Sequence, residues 1–150
     1  MTEDLFLRPV EAGDLETFYE HQRHPEATRM AAFPARERPA FDAHWQRILA
    51  DETVMVRTIV CNGEIAGNVL SWSHDGERLV GYWIGRDYWG RGIATRALAA
   101  FLDELAARPL HAHVATSNLG SIRVLEKCGV ALTGSAETEA GVQELVYRLD

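Results

Sequence analysis

The stretch best suited to chemistry is Ile84-Gly85-Arg86-Asp87-Tyr88-Trp89-Gly90-Arg91-Gly92-Ile93-Ala94-Thr95. An apolar strand runs into a loop with two glycines, and a helical pattern starts directly after it. The first amides of a helix have no intrahelical acceptor, and the helix dipole puts partial positive charge at the same end. Glycines let a phosphate come close to the backbone, so main-chain N–H groups there can receive a phosphate or pyrophosphate. Arg91 would add charge at the rim, and Thr95 a hydroxyl one turn in. An ordinary turn and helix cap would use the same residues, and spacing alone leaves both readings open. A nucleotide P-loop is excluded, because no glycine here precedes Lys-Ser or Lys-Thr. A dinucleotide fingerprint fits poorly. Thr95 stands where a third glycine or alanine is wanted, and His111 sits where a strand ending in an acid should follow.

The elements that must hold this loop follow from the hydrophobic pattern. Leu5 to Arg8 is a short apolar start ended by Pro9. Asp14 reads as an N-cap for a helix burying Leu15, Phe18 and Tyr19. His24-Pro25 interrupts that helix, since a residue before proline is pushed off helical geometry. Phe33-Pro34 and Arg38-Pro39 bracket an irregular segment, and a second helix runs from about Ala40 to Leu49. Val54 to Cys61 is then a strand, Asn62-Gly63 a hairpin turn, and Ile65 to Trp72 the returning strand. After a turn at His74-Asp75-Gly76, Leu79 to Ile84 is the fourth strand. Ile93, Ala97, Leu98, Phe101, Leu102 and Leu105 form one stripe of a helix from about Arg91 to Ala107. Pro109 stops it. Leu110 to Ala115 is a fifth strand, Asn118 to Lys127 a helix, and Val130 to Ser135 and Val142 to Leu149 are closing strands. A mixed sheet with helices packed on it, an α/β (α+β) fold, is the natural solution.

Composition narrows the function. The chain has 150 residues, 47% of them apolar, and a net charge of −7, which fits one domain over residues 1–150 with one sizeable core. The acidic balance argues against nucleic acid as a partner, which calls for basic patches. No apolar run reaches the ~20 residues of a membrane span, and Met1 to Arg8 lacks the order of a signal peptide. Cys61 and Cys128 have no metal-ligand spacing, so no metal is expected, and a reduced, cytoplasmic setting fits them.

Asp87-Tyr88-Trp89-Gly90-Arg91-Gly92-Ile93-Ala94-Thr95 resembles the acetyl-CoA pyrophosphate loop of the GNAT superfamily of N-acetyltransferases, whose general form is Gln/Arg-x-x-Gly-x-Gly/Ala. Asn118 to Val130, with Ser121 and Glu126-Lys127-Cys128-Gly129, resembles the Asn-x-x-Ser…Glu-Lys-x-Gly-Phe signature of its ribosomal-protein N-terminal acetyltransferase branch. Leu7-Arg8-Pro9, Gly67-Asn68 and Gly81-Tyr82-Trp83-Ile84 are similar to the same branch. Asp87 and Val130 depart from these patterns. Leu125 stands where many members carry a tyrosine that protonates the leaving thiol, an absence the branch shares.

The resemblance implies one GNAT domain, its sheet splayed between the fourth and fifth strands, with helices on both faces. It implies an acetyl-CoA-dependent N-acetyltransferase moving acetyl directly to a primary amine, a peptide N-terminus or a small molecule, in a ternary complex. An idle CoA-binding or regulatory module is the alternative. Main-chain contacts at Trp83, Ile84 and Gly85 would hold the pantetheine, and Trp89, Gly90, Arg91, Gly92, Ile93, Ala94 and Thr95 the pyrophosphate. Asn118 would bind pantetheine or adjacent substrate, and Ser121 would touch the thiol and serve as its acid; an ordinary first-turn serine is the plainer reading. His111 and His113 alternate on one strand face and are the base candidates, beside the reading as two half-exposed strand histidines. Glu77 is a weaker base candidate. His21, His24, His44 and His74 read as solvated, Tyr82 and Trp83 as core and cleft wall, and Trp72 as a lining for the acceptor. Thr28 to Pro39 and the turn at Glu139-Ala140-Gly141 would shape the acceptor pocket. An acidic protein leans toward a cationic acceptor, and the superfamily fold leaves room for a homodimer through its last strands.

Overall fold

The computed structural model describes residues 4–31 and 34–150. Apolar alternation and two tight turns generate the centre of the molecule. Asn62 and Gly63 take left-handed φ values of 52° and 81°, and Asp75 and Gly76 take 50° and 78°. Such turns match the right-handed twist of paired strands. They fold β2 (Met55–Cys61), β3 (Glu64–His74) and β4 (Glu77–Ile84) into an antiparallel meander. β1 (Leu5–Arg8) pairs with β2, and β5 (Leu110–Ala115), β6 (Ala131–Glu137) and β7 (Gln143–Leu149) complete one sheet in the order β1-β2-β3-β4-β5-β7-β6. Every neighbouring pair is antiparallel except β4 and β5.

That exception makes the site. β4 and β5 pair only at Arg78 with Leu110 and Leu79 with His111, and then part. Five further residues of β4 and four of β5 diverge, which is the splay expected from the resemblance.

Helices cover both faces. α4 (Ile93–Glu104) and α5 (Leu119–Lys127) close one face over Ile59, Val69, Ile84, Phe101, Leu110 and Leu125. On the other face α1 (Asp14–Arg23) and α3 (Arg38–Ala50) bury Phe18, Phe41 and Trp45 against Val56 of β2. At about 1.5–3 kcal/mol per buried large apolar side chain, these two clusters dominate the stability.

Several boundaries differ from expectation for identifiable reasons. Pro25 does end α1, with His24 extended at ψ 125°. It also opens a helix that the sequence reading did not include, α2 (Pro25–Ala31), because proline is preorganised for a first turn. Pro39 likewise sits inside the first turn of α3, which starts at Arg38 and not near Ala40. α4 ends at Glu104, earlier than expected, where the Arg108 guanidinium takes up the carbonyls of Leu102, Leu105 and Ala107. Part of the irregular segment expected around Phe33 lies outside the described residues.

Asp14 is not the N-cap of α1. Gly13 holds that position, and the Asp14 carboxylate turns inward at 3% exposure. There it receives Arg8 at 2.7 and 2.9 Å, the Glu11 amide at 2.9 Å and the Thr58 hydroxyl at 2.7 Å. One carboxylate thus ties β1, β2 and α1 together.

Candidate active site

The parted strands open a cleft of about 690 Å³. Its inner walls are Val80 to Trp83 of β4 and Ala112 to Ala115 of β5, with Asn118 just before α5, Ser121 and Leu125 from α5, and Glu144 from β7. Its outer arm runs under α1 and α3, past Phe18, Gln22, Phe41, His44 and Trp45, to Asn68, Leu70 and Trp72 of β3. Trp72 therefore lines the arm expected to take the acceptor.

The glycine loop continues directly from the end of β4. A single 3-10 turn (Arg86–Tyr88) leads to Gly90 and Gly92, whose φ values of 74° and 73° exclude most side chains. An added Cβ at either would meet nothing, so backbone conformation is what requires glycine there. Gly92 caps α4, and the ladder begins with Arg96 donating to the Gly92 carbonyl at 3.2 Å. The amides of Ile93, Ala94 and Thr95 precede that first bond and carry the positive end of the dipole. Ile93 is buried at 1%, so only its main chain is available to a ligand. Trp89 is turned inward, its indole donating to the Ile84 carbonyl at 3.0 Å. Arg86 and Arg91 lie over the Trp89 and Tyr88 rings. Arg86 also pairs with Glu26 of α2 at 2.9 Å, and the Tyr88 hydroxyl donates to Glu64. These contacts fix the loop before any ligand arrives.

The three main-chain positions expected to hold the pantetheine are not equivalent. Gly85 donates its amide to Ala66 of β3 at 2.8 Å and is thereby taken. The Ile84 carbonyl receives Trp89 and not a β3 amide. N–H and C=O of one strand residue point the same way, so the Ile84 amide faces the parted edge. Close packing supports this segment. A Cβ on Gly67 would collide with the Trp83 carbonyl oxygen, and one on Gly85 would lie 2.6 Å from the His21 ring.

α5 delivers the next groups. Asn118 lies just before the helix and caps it, its side chain accepting from the Ser121 amide at 3.2 Å. That fixes Ser121, whose hydroxyl sits 2.6 Å from the Tyr82 hydroxyl of β4. Burial pushes the Tyr82 phenol up to about 12, against the pull of the Ser121 hydrogen bond. Leu125 is 2% exposed and apolar.

The two strand histidines are separated by the splay. His113 lines the cleft with its Nδ1 3.6 Å from a carboxylate oxygen of Glu144. His111 is paired at the closed end of the strands and does not line the cleft; its Nδ1 lies 3.1 Å from Glu77. The sequence reading missed Glu144, a strand residue with only its β7 alternation to mark it. His21 and His44, expected to be solvated, are not. His21 packs under Gly85 with a buried Nδ1, and burial lowers its pKa. His44 lines the cleft, its pKa lowered by burial and by Arg36 and Arg47. Of the segment expected to shape the acceptor pocket, Ala31, Pro34 and Arg36 do line it, while Ala32 and Phe33 lie outside the described residues. The turn at Glu139 to Gly141 does not, because it closes the β6–β7 hairpin on itself through Thr138 and Val142. Among the described residues no cluster of His, Cys, Asp and Glu is arranged to hold a metal. None of their helices is long and apolar enough to cross a membrane.

Comparison with known proteins agrees with this geometry. The sequence profile of the acetyltransferase (GNAT) domain family matches residues 4–131. The chain belongs to that family. A search of curated proteins by sequence gives no match. Among solved structures, the aminoglycoside acetyltransferase AAC(6')-Ib in complex with coenzyme A aligns with a TM-score of 0.80 at 22% identity, covering 95% of this chain and 94% of that one. The ribosomal-protein α-N-acetyltransferase RimL in complex with coenzyme A gives 0.82 at 17%, over 97% and 93%. A domain from Methanocaldococcus jannaschii DSM 2661 gives 0.82 at 18%, over 99% of both chains. At these identities the likeness is one of fold.

Proposed function

We propose that this chain is an acetyl-CoA-dependent N-acetyltransferase that acetylates a primary amine by direct transfer, both substrates being bound together. The parting of β4 from β5 carries the reading, since the freed edge of β4 leads straight into a loop of two positive-φ glycines at a helix N-terminus. The amides of Gly90 to Thr95 suit a pyrophosphate, and the open cleft between Tyr82 and Ala112 to Ala115 suits an extended pantetheine chain. The solved structures of RimL and AAC(6')-Ib with coenzyme A share this fold.

In this reading the amine nitrogen attacks the acetyl carbonyl carbon, a C–N bond forms, the C–S bond breaks and the thiolate leaves. The Ile84 amide stabilises the developing oxyanion. His113, with Glu144 behind it, accepts the proton lost by the amine. Ser121 gives a proton to the departing sulfur, and Tyr82 donates to the Ser121 Oγ in turn. A free thiol has a pKa of about 8.5, so this help accelerates departure without being obligatory. Leu125 contributes apolar wall and no proton.

Release of free thiol from acetyl-CoA, measured over a panel of peptides and amines, tests the reading. Amine-dependent release supports it. CoA bound in a calorimeter with no release over a broad panel would instead favour an idle binding module.

A further inference from the structure

Among the described residues, three carboxamides line the cleft, those of Gln22, Asn68 and Asn118. Two are engaged within the protein. Gln22 accepts from the Arg36 amide at 2.7 Å and donates to the carbonyls of Arg36 and Tyr19 at 3.1 and 3.2 Å. Asn118 uses its oxygen to cap α5 at the Ser121 amide. Asn68 differs. It is only 6% exposed, and among the described residues no hydrogen bond reaches its side chain. The unpaired side-chain polar atoms sealed inside those residues belong to His21 and His111. The Asn68 carboxamide is therefore not sealed, and what it opens on is the cleft it lines.

Its place in the sheet aims it at the outer arm. Side chains alternate along β3, so Val69 joins the core with Phe101 while Leu70 packs with Phe18, Phe41 and Trp45 under α1 and α3. Asn68 and Trp72 share the Leu70 face. Thr58 of β2 and Trp83 of β4 stand directly opposite Asn68. Thr58 donates to Asp14 at 2.7 Å, and the Trp83 indole donates to the His21 carbonyl at 3.3 Å. Both flanking side chains are thus held by α1 and leave the carboxamide alone. The rest of this floor, Leu70, Trp72 and Gly81, offers apolar surface, with the Trp72 ring covering Gly81. Trp83 also immediately precedes Ile84, so Asn68 lies one strand away from the amide assigned to the oxyanion.

Asparagine is disfavoured in strands, and a desolvated carboxamide without a partner is unfavourable. An acceptor that displaces water from the arm must supply the partner that the apolar floor does not. We infer that Asn68 is a specificity-determining residue, its carboxamide hydrogen-bonding a neutral polar group, an amide or a hydroxyl, that the acceptor carries beside its amine. A carboxamide both donates and accepts, which suits either group. The contact turns the amine toward the acetyl carbonyl at Ile84. A purely apolar amine would leave the carboxamide unpaired and is disfavoured. The inference rests on the acetyl-transfer reading for the reaction; the contact itself rests on the burial and openness of Asn68.

Three small amines of similar shape test it. L-alaninamide, L-alaninol and sec-butylamine carry an amide, a hydroxymethyl and an ethyl group on the amine-bearing carbon. Their basicities differ, and the difference cancels when each is compared between the unmodified protein and a variant. Asn68→Leu should lower kcat/KM for at least one polar amine about tenfold relative to sec-butylamine, the scale of one hydrogen bond lost in a desolvated site. The amine affected tells an amide from a hydroxyl. Asn68→Thr suits a strand and keeps a hydroxyl, so it should lower the same ratio less. Calorimetry with acetyl-CoA reports whether the variants fold, and if the leucine variant loses that affinity the threonine variant decides by the same ratio. Equal loss for all three amines, or no loss for any, overturns the inference. Titrating the CoA-loaded protein with the same amines, followed by NMR, needs no turnover. An Asn68-dependent preference for a polar amine in binding, with no transfer, keeps the contact and removes the acetyl-transfer reading instead. No such preference in binding or in transfer overturns the inference.

Discussion

The hydroxyls of Tyr82 and Ser121 lie 2.6 Å apart and join β4 to α5 across the cleft. With its pKa pushed up to about 12, the phenol stays protonated over the whole working range, and either hydroxyl of the pair can donate to the other. In the proposed mechanism Tyr82 donates to Ser121 as the serine proton goes to the leaving thiolate. Removing the phenol hydroxyl should cost less than removing the serine, because Ser121 keeps its own proton. Tyr82→Phe is expected to lower kcat about tenfold and Ser121→Ala about a hundredfold, both with acetyl-CoA affinity nearly unchanged. Because the groups act in series, the double variant should match Ser121→Ala alone. Steady-state kinetics on the four proteins check this. Independent, multiplying losses would separate the two hydroxyls.

Gly92 caps α4 at φ 73°, with open space where a Cβ would stand. A side chain there meets a conformational cost of about 1–2 kcal/mol and no clash, and a β-branched one is worse. Gly92→Val should shift the loop off its geometry and weaken acetyl-CoA binding at least tenfold by calorimetry, with Gly92→Ala intermediate. Gly13→Ala is the control, since that glycine has φ −66° and equally open space. Its affinity for acetyl-CoA should not move.

His113 lines the cleft, and His111, two residues earlier on the same strand face, does not. His113→Ala should therefore lower kcat/KM for the amine about 10²- to 10⁴-fold, the usual worth of a positioned base, without weakening acetyl-CoA. Glu144→Gln should give a smaller loss by leaving the ring without its carboxylate neighbour. His111→Ala should leave turnover close to that of the unmodified protein. Transfer kinetics on the three variants decide the matter, and a large loss in His111→Ala alone would move the base to the closed end.

These contrasts mark what a linear sequence carries. The glycine loop, the Asn62-Gly63 turn and the alternation of β2 to β4 are local, so their elements were legible within a few residues. The family resemblance at Asp87 to Thr95 and Asn118 to Val130 was legible for the same reason, since each motif is one uninterrupted segment. His111 and His113 look alike in sequence because two-residue spacing reports a shared face and not a splay. The divergence that separates them follows from the β4–β5 pairing stopping after two residue pairs, a relation between strands that α4 separates in the chain. Tyr82 with Ser121, 39 residues apart, and Arg36 with Gln22 become partners only through tertiary packing. α2 was missed for a local reason: one proline both ends a helix and starts the next.

Asp14 offers a test of the scaffold through pH. Burial alone would raise its pKa, but Arg8, the Glu11 amide and Thr58 outweigh that and hold it below the ordinary 3.8. The unfolded chain therefore binds a proton more readily than the folded one in that region. The stabilisation is fully present above the unfolded value and is lost as pH falls through 3.8 toward the folded one. Asp14→Asn removes the charge and leaves Arg8 facing a neutral amide at a buried corner, which should cost about 3 kcal/mol at pH 7. Urea unfolding at pH 7, 5, 4 and 3 should show the gap between the two proteins constant down to about pH 5 and then narrowing with acid. A gap that persisted unchanged at pH 3 would mean that the carboxylate acts there as a neutral hydrogen-bonding group. Because α1 also carries Gln22 and so positions Arg36, the same substitution should loosen the outer arm of the cleft. Its amine KM should rise while its acetyl-CoA affinity stays near that of the unmodified protein.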